Sequence, residues 1–359
     1  MSYSVLHIAP ENFAGVPHDF KRMHERFGNH SRLITLHRNP LGFEEDICCD
    51  FAIPRSRAAK SYRIHHSLAK QGRKNEEYFW EPHSFLEQLY FFLQTKMRVS
   101  TIESMIHTLN LDAFDIIQYD GGLDFTRDSR FAKRWKSMKK PIVNCYYGSD
   151  LRARGIIKEM DDFADLNITS EFDHLALKSN LEYVFYPYDS SELPNIPTEK
   201  DYSRIRIVHS PTNRLYKGTE VILSVIEKLQ KSYAFEFLLL ENMSRADVLS
   251  IKSECTISID QVGGIHGGTG YGKAGIESLA MGIPTITNMT SEYASWLPEN
   301  PFLIANDAKS LEDQLIHLIE SPEQCKAIGE QGRDWVQRYH SYEQVNQHLE
   351  SLYHKYGIL

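Results

Sequence analysis

The stretch of residues 256–287 has the sequence TISIDQVGGIHGGTGYGKAGIESLAMGIPTIT. It predicts a strand over Thr256–Val262, a glycine-rich turn, a helix over Lys273–Met281 and a second strand over Pro284–Thr287. Glycine lets a backbone approach a ligand closely, and the free N–H groups at a helix N-terminus suit a diphosphate. We therefore predict a phosphate-binding turn; the alternative is a glycine-rich surface loop that holds no ligand.

The segment Gly270–Gly275 also fits the pattern G-x-G-x-x-G of dinucleotide-binding turns. Such a turn begins where its strand ends, whereas about seven residues separate Val262 from Gly270. An acidic residue should follow at the tip of the next strand, but the nearest one, Glu292, lies beyond that strand. An NAD-dependent Rossmann oxidoreductase is therefore kept only as a third interpretation.

The same alternation of strand-like and helix-like segments continues on both sides of the glycine turn. It favours βαβ units and parallel sheets with helices on both faces. Proline and polar residues concentrate at Tyr186–Tyr202, which is typical of a linker between domains. We predict an α/β fold of two Rossmann-like, doubly wound parallel-sheet domains that face each other across a cleft. The predicted boundaries are 1–186 for the N-terminal domain, 187–204 for the linker, 205–339 for the C-terminal domain and 340–359 for a C-terminal helix.

Other segments of the alternation have β-rich or helical patterns of their own. The further predicted strands are Tyr3–Ile8, Arg32–His37, Phe114–Tyr119, Pro141–Tyr147, Asp165–Thr169, Ile205–His209, Phe235–Leu240 and Phe302–Ile304. The further predicted helices are Phe85–Arg98, Arg127–Met138, Thr219–Leu229 and the helical tail Pro322–Tyr356.

Composition and charge narrow the class of protein. The 359 residues are 42% hydrophobic and carry a formal net charge of −8, which argues against a nucleic-acid partner. No apolar run approaches the roughly 18 residues of a membrane span, and the N-terminal segment enters a predicted strand at once, so we expect no secretory signal.

Five cysteines without a CxxC pair predict reduced thiols in the cytoplasm. The histidines form no His-x-x-Glu-His or His-x-x-x-His cluster, so we predict neither a metal site nor a cofactor.

The segment Thr269–Ile286 resembles the signature of glycosyltransferase family 4, which has the form E-G-F-G-L-x-x-x-E-A-M-A-x-G-x-P-V-I. The resemblance implies a GT-B fold in which the C-terminal domain binds a nucleotide-sugar donor. Glu277 matches the second glutamate of the family's E-x7-E pattern, which holds the ribose hydroxyls. Thr269 takes the place of the first glutamate, which contacts the transferred sugar. The segment Cys325–Tyr353 resembles the family's closing helices, the last of which packs back on the N-terminal domain.

The segment Val208–Glu220 resembles the first strand, loop and helix of the family's donor domain. In the family an arginine and a lysine five residues later grip the donor phosphates. Lys217 matches the lysine, Thr212 occupies the arginine position, and Arg214 is the expected substitute; a solvent-facing loop charge is the alternative for Arg214. Such cations would stabilise the charge that develops on the departing diphosphate. The predicted catalytic residues are thus Arg214, Lys217 and Glu277. The predicted donor-binding residues are Thr212, Asn213, Thr269, Gly270, Tyr271, Gly272 and Lys273.

The N-terminal half is similar to the family in one segment, Tyr146–Arg152, which resembles its H-G-S-D-x-R stretch. Tyr147 stands where a histidine reaches toward the donor sugar, so only a hydroxyl remains there. Gly15 follows the first predicted strand, where the family has a glycine-rich acceptor loop. The predicted residues on the sugar or acceptor side are Gly15, Tyr147, Asp150 and His266.

The resemblance to glycosyltransferase family 4 implies a retaining, metal-independent glycosyltransferase of the hexosyltransferase type. It would move a sugar from a nucleotide-diphosphate sugar to a glycan or lipid-linked acceptor in the cytoplasm. Because Thr269 and Tyr147 replace residues that the family uses on the sugar, the second interpretation is a catalytically impaired nucleotide-sugar-binding subunit. The basic run Arg55–Lys74 precedes the aromatic run Phe79–Phe92. We interpret these runs as a solvated loop and a core helix; the alternative is peripheral contact with an anionic membrane.

Overall fold

The computed structural model describes residues 2–40, 42–53, 77–194, 200–263 and 270–359. The chain divides into two compact units. The first consists of Met1–Pro187 together with Val345–Leu359, and the second of Tyr188–Gln344. Each unit contains a parallel β-sheet and packed helices, so the predicted α/β class with two parallel-sheet domains is confirmed.

The first unit contains a sheet of seven described strands in the order β3-β2-β1-β4-β5-β6-β7, with every pair parallel. Every residue of the β4 sequence IIQYD and the β5 sequence IVNCY is buried. Strands covered on both faces do not need to alternate apolar and polar residues, which explains these runs. The strands are β1 (Ser4–Ala9), β2 (His30–Thr35), β3 (Ile47–Cys48), β4 (Ile116–Asp120), β5 (Ile142–Tyr146), β6 (Leu166–Thr169) and β7 (Glu182–Tyr183).

Four α-helices lie between the strands in the described part of the first unit. They are α1 (Val16–Arg26), α2 (Phe85–Thr108), α3 (Arg130–Ser137) and α4 (Lys158–Phe163). On one side of the sheet, Ile8 of β1 and Ile117 of β4 share a buried cluster with Ile106 of α2 and Trp135 of α3. This cluster fixes the ends of β1, β4 and β5, from which the loops of the unit leave.

The helix α2 differs from the predicted core helix. Its first half lies at the surface, and Phe85 and Leu86 are each 75% exposed. Burial begins further along, at positions such as Ile102 and Ile106. Its apolar side chains point in all directions around the first turns, so they cannot all face one core. The composition of the run alone does not distinguish an exposed apolar helix from a buried one. The basic run Arg55–Lys74 lies entirely outside the described residues.

The second unit contains a sheet of five described strands in the order β12-β11-β10-β8-β9, again all parallel. The strands are β8 (Arg206–His209), β9 (Glu236–Leu239), β10 (Ile257–Ile259), β11 (Thr285–Thr287) and β12 (Leu303–Ile304). The helices are α5 (Arg214–Lys217), α6 (Thr219–Leu229), α7 (Arg245–Ser253), α8 (Lys273–Ala280), α9 (Ser291–Trp296), α10 (Ala308–Glu320), α11 (Pro322–Tyr339) and α12 (Tyr342–Lys355).

The helix α12 begins in the second unit, but most of it belongs to the first. Its residues Leu349 and Tyr353 are fully buried. The rings of Tyr353 and Tyr3 lie 6.1 Å apart, and the Tyr3 hydroxyl donates to Glu350 at 3.1 Å. The end of α12 therefore completes the packing of the first unit beside β1.

The strand predicted over Thr256–Val262 is shorter in the structure, where β10 ends at Ile259. The Val262 N–H leaves the sheet and donates to the Lys217 carbonyl at 3.2 Å. The chain after β10 is thereby held against the loop that follows β8. No helix in the described residues is long and apolar enough to cross a membrane.

Candidate active site

In the sheet of the second unit, the chain runs from β8 to β9 on one side of β8 and then crosses to β10 on its other side. β8 lies between β9 and β10, so the loops after β8 and β10 leave from neighbouring carboxyl ends. Open α/β sheets bind ligands in the crevice at such a switch point. The segment after β8 contains the short helix α5, which ends at Lys217, and the segment after β10 leads to the glycine turn and α8.

Lys217 joins these two loops through a buried aspartate. Its Nζ lies 2.6 Å from Asp260 Oδ1 and 3.1 Å from Gln261 Oε1. The other oxygen of Asp260 accepts the N–H of Gly272 at 3.2 Å. The Asp260 side chain is 1% exposed, whereas that of Lys217 is 17% exposed. The Asp260 carboxylate therefore holds Lys217 beside Gly272, the residue that directly precedes α8.

The described end of the glycine turn is held by polar contacts. Gln261 Nε2 donates to the Gly270 carbonyl at 2.7 Å, and Thr287 Oγ1 donates to the same oxygen at 2.9 Å. Gly270 has φ of 103°, and a Cβ there would lie 2.1 Å from the Tyr293 ring, so this position requires glycine. Tyr271 is buried, stacks on Phe302 with ring centroids 4.7 Å apart, and thus anchors the turn.

Gly272 precedes α8, whose first N–H groups have no partner within the helix, and Lys273 is its first residue. Lys217 Nζ lies 3.8 Å from the position that a Cβ on Gly272 would take. A cation and a helix N-terminus therefore meet at one place. This combination suits the oxygens of a phosphate group.

Glu277 lies on α8 and is buried rather than solvated. Its Oε1 accepts from Arg245 Nε at 3.0 Å and Nη2 at 2.8 Å. Its Oε2 lies 3.8 Å from Nζ of Lys252, a lysine that is 1% exposed and also donates to the Ala274 carbonyl at 3.1 Å. Burial lowers the pKa of Lys252, and the nearby Glu277 opposes this shift. Glu277 is thus held by a guanidinium at one oxygen, while the other lies within ion-pair distance of Lys252.

Arg214 has a different environment from Lys217. Its guanidinium pairs with Glu220 at 3.2 Å and with Glu241 at 3.7 Å. Asn213 caps the short helix α5, because its Oδ1 accepts from the N–H groups of the two residues after Arg214. Thr212 is exposed beside it. Of the two predicted cations, Lys217 is the one that directly contacts the residues leading to α8.

His209 lies beneath this site at the end of β8. Its Nδ1 lies 2.8 Å from the Ile259 carbonyl, and its Nε2 lies 2.9 Å from Thr219 Oγ1. A carbonyl can only accept, so Nδ1 carries the hydrogen and Nε2 accepts from the threonine. Burial lowers the pKa of His209 to about 4, so the ring is neutral near pH 7.

In the first unit, the Tyr147 side chain is already engaged. Its hydroxyl donates to Asp120 Oδ1, and the other oxygen of Asp120 lies 3.1 Å from His7 Nδ1. His7 and Asp120 are fully buried. The hydroxyl expected to face a sugar is therefore directed at a carboxylate within the unit.

Asp150 and Gly15 shape turns at the carboxyl edge of the first sheet. The Asp150 carboxylate accepts three backbone N–H groups at 2.8 Å, from Tyr147, Gly148 and Leu151. Gly15 directly precedes α1, with φ of 76°. Two other predicted site residues, Thr269 and His266, lie outside the described residues.

Sequence reasoning missed three residues of the site: Asp260, Arg245 and Lys252. A signal existed for Asp260, since an acidic residue directly after a buried strand lies at the carboxyl edge of the sheet. Arg245 and Lys252 belong to α7, and nothing in the local sequence links them with Glu277.

Comparison with known proteins identifies the fold. Residues 275–351 match the family model described as glycosyl transferase-like. The HepE protein of Anabaena in complex with UDP has a TM-score of 0.57 and 13% identity, covering 99% of this chain and 100% of that chain. A sucrose-phosphate synthase of Thermosynechococcus elongatus has a TM-score of 0.60 and 11% identity, covering 98% of each chain. A glycosyltransferase of Rickettsia africae has a TM-score of 0.59 and 11% identity, covering 99% of this chain and 98% of that chain.

No curated protein sequence matches the chain. The structural matches nevertheless extend over both units and define the class of the protein, which is the GT-B fold. Within this fold, the segment that matches the glycosyl transferase-like model begins in α8 and contains Glu277.

Proposed function

We propose that this protein is a retaining, metal-independent glycosyltransferase that uses a nucleotide-diphosphate sugar. The observation that carries the proposal is the contact of Asp260 with both Lys217 and the Gly272 N–H, which brings a cation to the N-terminus of α8. HepE is similar in fold and has structures with UDP and with UDP-glucose. These complexes support a uridine nucleotide as the first donor to test.

Each charged group then has a role in the proposed reaction. Lys217 and the N–H groups of α8 hold the diphosphate and stabilise the charge that it gains on leaving. Glu277 accepts ribose hydroxyls through Oε2, while Arg245 fixes its orientation through Oε1. The hydroxyl of a glycan or lipid-linked acceptor attacks from the face of the leaving group, and a donor phosphate oxygen takes its proton. Fixed protein charges serve here in place of a metal ion.

Thermal unfolding with UDP, GDP and ADP tests the binding step, because a ligand that binds only the folded state stabilises it. We expect one nucleotide to raise Tm, and Lys217→Ala to weaken its binding at least tenfold. Lys228→Ala is the matched control, because Lys228 is 65% exposed on α6 and pairs with Glu312. Equal affinity in the two variants would overturn the assignment of Lys217.

Glu277 needs a variant that separates function from folding. Removing its charge leaves the buried Lys252 without its carboxylate, which typically destabilises a protein by about 3–5 kcal/mol. We therefore expect Glu277→Gln to lower both Tm and nucleotide affinity. The double variant Glu277→Gln with Lys252→Met should regain stability without regaining affinity. Recovery of both would assign Glu277 a purely structural role.

The reaction itself is tested with a UDP-sugar panel. We expect transfer to continue in EDTA, and NMR of the product to show the anomeric configuration of the donor. A transfer that requires a divalent ion, or a product of inverted configuration, would contradict the proposal.

A second candidate function is nucleotide-sugar binding without catalysis. The contact of the Tyr147 hydroxyl with Asp120 favours it, because that hydroxyl already donates to a carboxylate within the first unit. Calorimetry that detects UDP-sugar binding, with no transfer or hydrolysis by the wild-type chain, would support this candidate over the first.

The exposed apolar start of α2 supports a peripheral contact with an anionic membrane at the cytoplasmic face. Phe85 and Leu86 are the most exposed large apolar residues of this helix, and the basic run Arg55–Lys74 precedes them in the sequence. We expect salt-sensitive binding to vesicles containing phosphatidylserine, and its loss in Phe85→Ser with Leu86→Ser. Equal binding to neutral vesicles would contradict the contact.

A further inference from the structure

Two arginines lie near each other at the carboxyl edge of the first sheet. Arg127 belongs to the loop between β4 and α3, and Arg154 ends the helical turn Asp150–Arg154 after β5. β4 and β5 are neighbouring parallel strands, so both loops leave the same edge of the sheet. Ligand sites in open α/β sheets form at this edge.

Arg127 packs against two aromatic rings. Its Cζ lies 4.8 Å from the ring centroid of Trp80 and 5.1 Å from that of Phe91. The two rings meet edge to face, with centroids 5.5 Å apart. The Arg127 Nη1 atom is buried and has no hydrogen-bond partner among the described residues. The rings therefore fix the plane of the guanidinium, while one of its donors remains unused.

Arg154 donates to backbone carbonyls, and no carboxylate in the described part of the chain pairs with it. Its Nη2 donates to the Gly121 carbonyl, and its Nε lies 3.2 Å from the Gly155 carbonyl. Gly121 directly follows β4, so Arg154 connects the loops of the two neighbouring strands.

The two guanidinium groups are not neutralised within the described residues. No described carboxylate lies within 4.0 Å of either group, although Glu87 and Asp150 are close enough to act over a longer distance. Burial, and next the positive charge of Arg154, lower the pKa of Arg127 to about 9, so the Arg127 guanidinium is still charged at neutral pH. Both arginines are only half-buried, but they repel each other and no described carboxylate pairs with either, so this arrangement favours the binding of an anion.

We propose that Arg127 and Arg154 form an oxyanion-binding pocket that holds a phosphate or carboxylate group of the acceptor. A guanidinium presents parallel N–H donors that match both kinds of group. The rings of Trp80 and Phe91 form the apolar wall of this pocket. This proposal rests on the proposed function only in assigning the bound group to an acceptor. The anion-binding pocket itself involves residues of the first unit alone.

Binding of inorganic phosphate to the full chain tests the pocket. The titration is done in the Lys217→Ala background, which weakens phosphate binding at the donor site, and the ionic strength is kept constant with chloride. We expect Arg127→Gln and Arg154→Gln each to raise the phosphate Kd at least tenfold. Arg130→Gln is the matched control, because Arg130 is exposed and pairs with Asp128 at 2.7 Å. An unchanged Kd in the first two variants overturns the pocket.

Two further measurements identify the bound group and separate this pocket from the donor site. Titration with acetate in place of phosphate shows whether the pocket takes a carboxylate, a phosphate or both. UDP affinity is measured in the same variants with Lys217 restored, and we expect it to match the wild type in Arg127→Gln. If UDP, GDP and ADP all fail to bind to any of these chains, the proposed function is refuted, and the phosphate result still tests the pocket. Arg154→Lys, which keeps the charge but loses the paired donors, should give an intermediate phosphate Kd if the protein remains folded.

Discussion

Acidification should destabilise the second unit through His209, which lies beneath the candidate site. The ring donates through Nδ1 to the Ile259 carbonyl and accepts through Nε2 from Thr219. Protonation of Nε2 would replace that acceptor with a donor and would place a charge in a fully buried position. The folded protein therefore favours the neutral ring.

The size of the effect follows from the two pKa values of His209. The pKa is about 4 in the folded chain and 6.5 for an unperturbed histidine. A pKa lowered by folding gives stability that is fully present above pH 6.5 and is lost as the pH falls toward 4. The limiting loss is about 3.4 kcal/mol, and the loss between pH 8 and pH 5 is about 2 kcal/mol.

Urea unfolding at pH 8 and pH 5 measures this loss directly. We expect His209→Asn, which keeps a donor for the Ile259 carbonyl, to lose about 2 kcal/mol less than the wild type over this interval. Each variant is compared with itself at pH 8, so a lower starting stability does not affect the result. His317→Asn is the control, because His317 is exposed on α10. Equal pH dependence in His209→Asn and the wild type would refute the reasoning.

Two packing predictions use matched pairs of variants and urea unfolding. Gly218→Ala should cost at least about 3 kcal/mol, because φ is 66° and a Cβ would lie 1.8 Å from the Val262 carbonyl oxygen. Gly263→Ala, with φ of 82° and no atom of the described residues within 4 Å of the added Cβ, should cost only about 1–2 kcal/mol. Leu349→Ala should cost about 2–5 kcal/mol, because Leu349 is fully buried in α12. Leu359→Ala should change stability by less than about 0.5 kcal/mol, because Leu359 is 43% exposed; equal costs within either pair would contradict the packing described.

Local patterns were sufficient to predict most of the elements. The predicted helix Thr219–Leu229 coincides with α6, because its apolar residues recur at helical spacing and a glycine stands before it. The buried strands were predictable for the same local reason, since covered parallel strands are continuous apolar runs. The strands Ile47–Cys48 and Glu182–Tyr183 were missed, because two residues are too few to show a period.

The residues of the site could be predicted only where they stand close together in the sequence. The glycine turn and Lys217 stand in short segments with a recognisable order of strand, loop and helix. Asp260 is 43 positions from Lys217, and Arg245 is 32 positions from Glu277. Which buried carboxylate meets which cation depends on strand order in the sheet, and the spacing of residues along the chain does not encode that order.

The discontinuity of the first unit has a consequence for how the chain folds during synthesis. About 160 residues of the second unit are made between Pro187 and the segment Val345–Leu359, which completes the first unit. At ribosomal rates this takes roughly 10–30 s. During that interval Tyr3, which directly precedes β1, lacks its partners Glu350 and Tyr353 on α12. The nascent first unit therefore exposes apolar surface that chaperones would recognise until the last helix emerges.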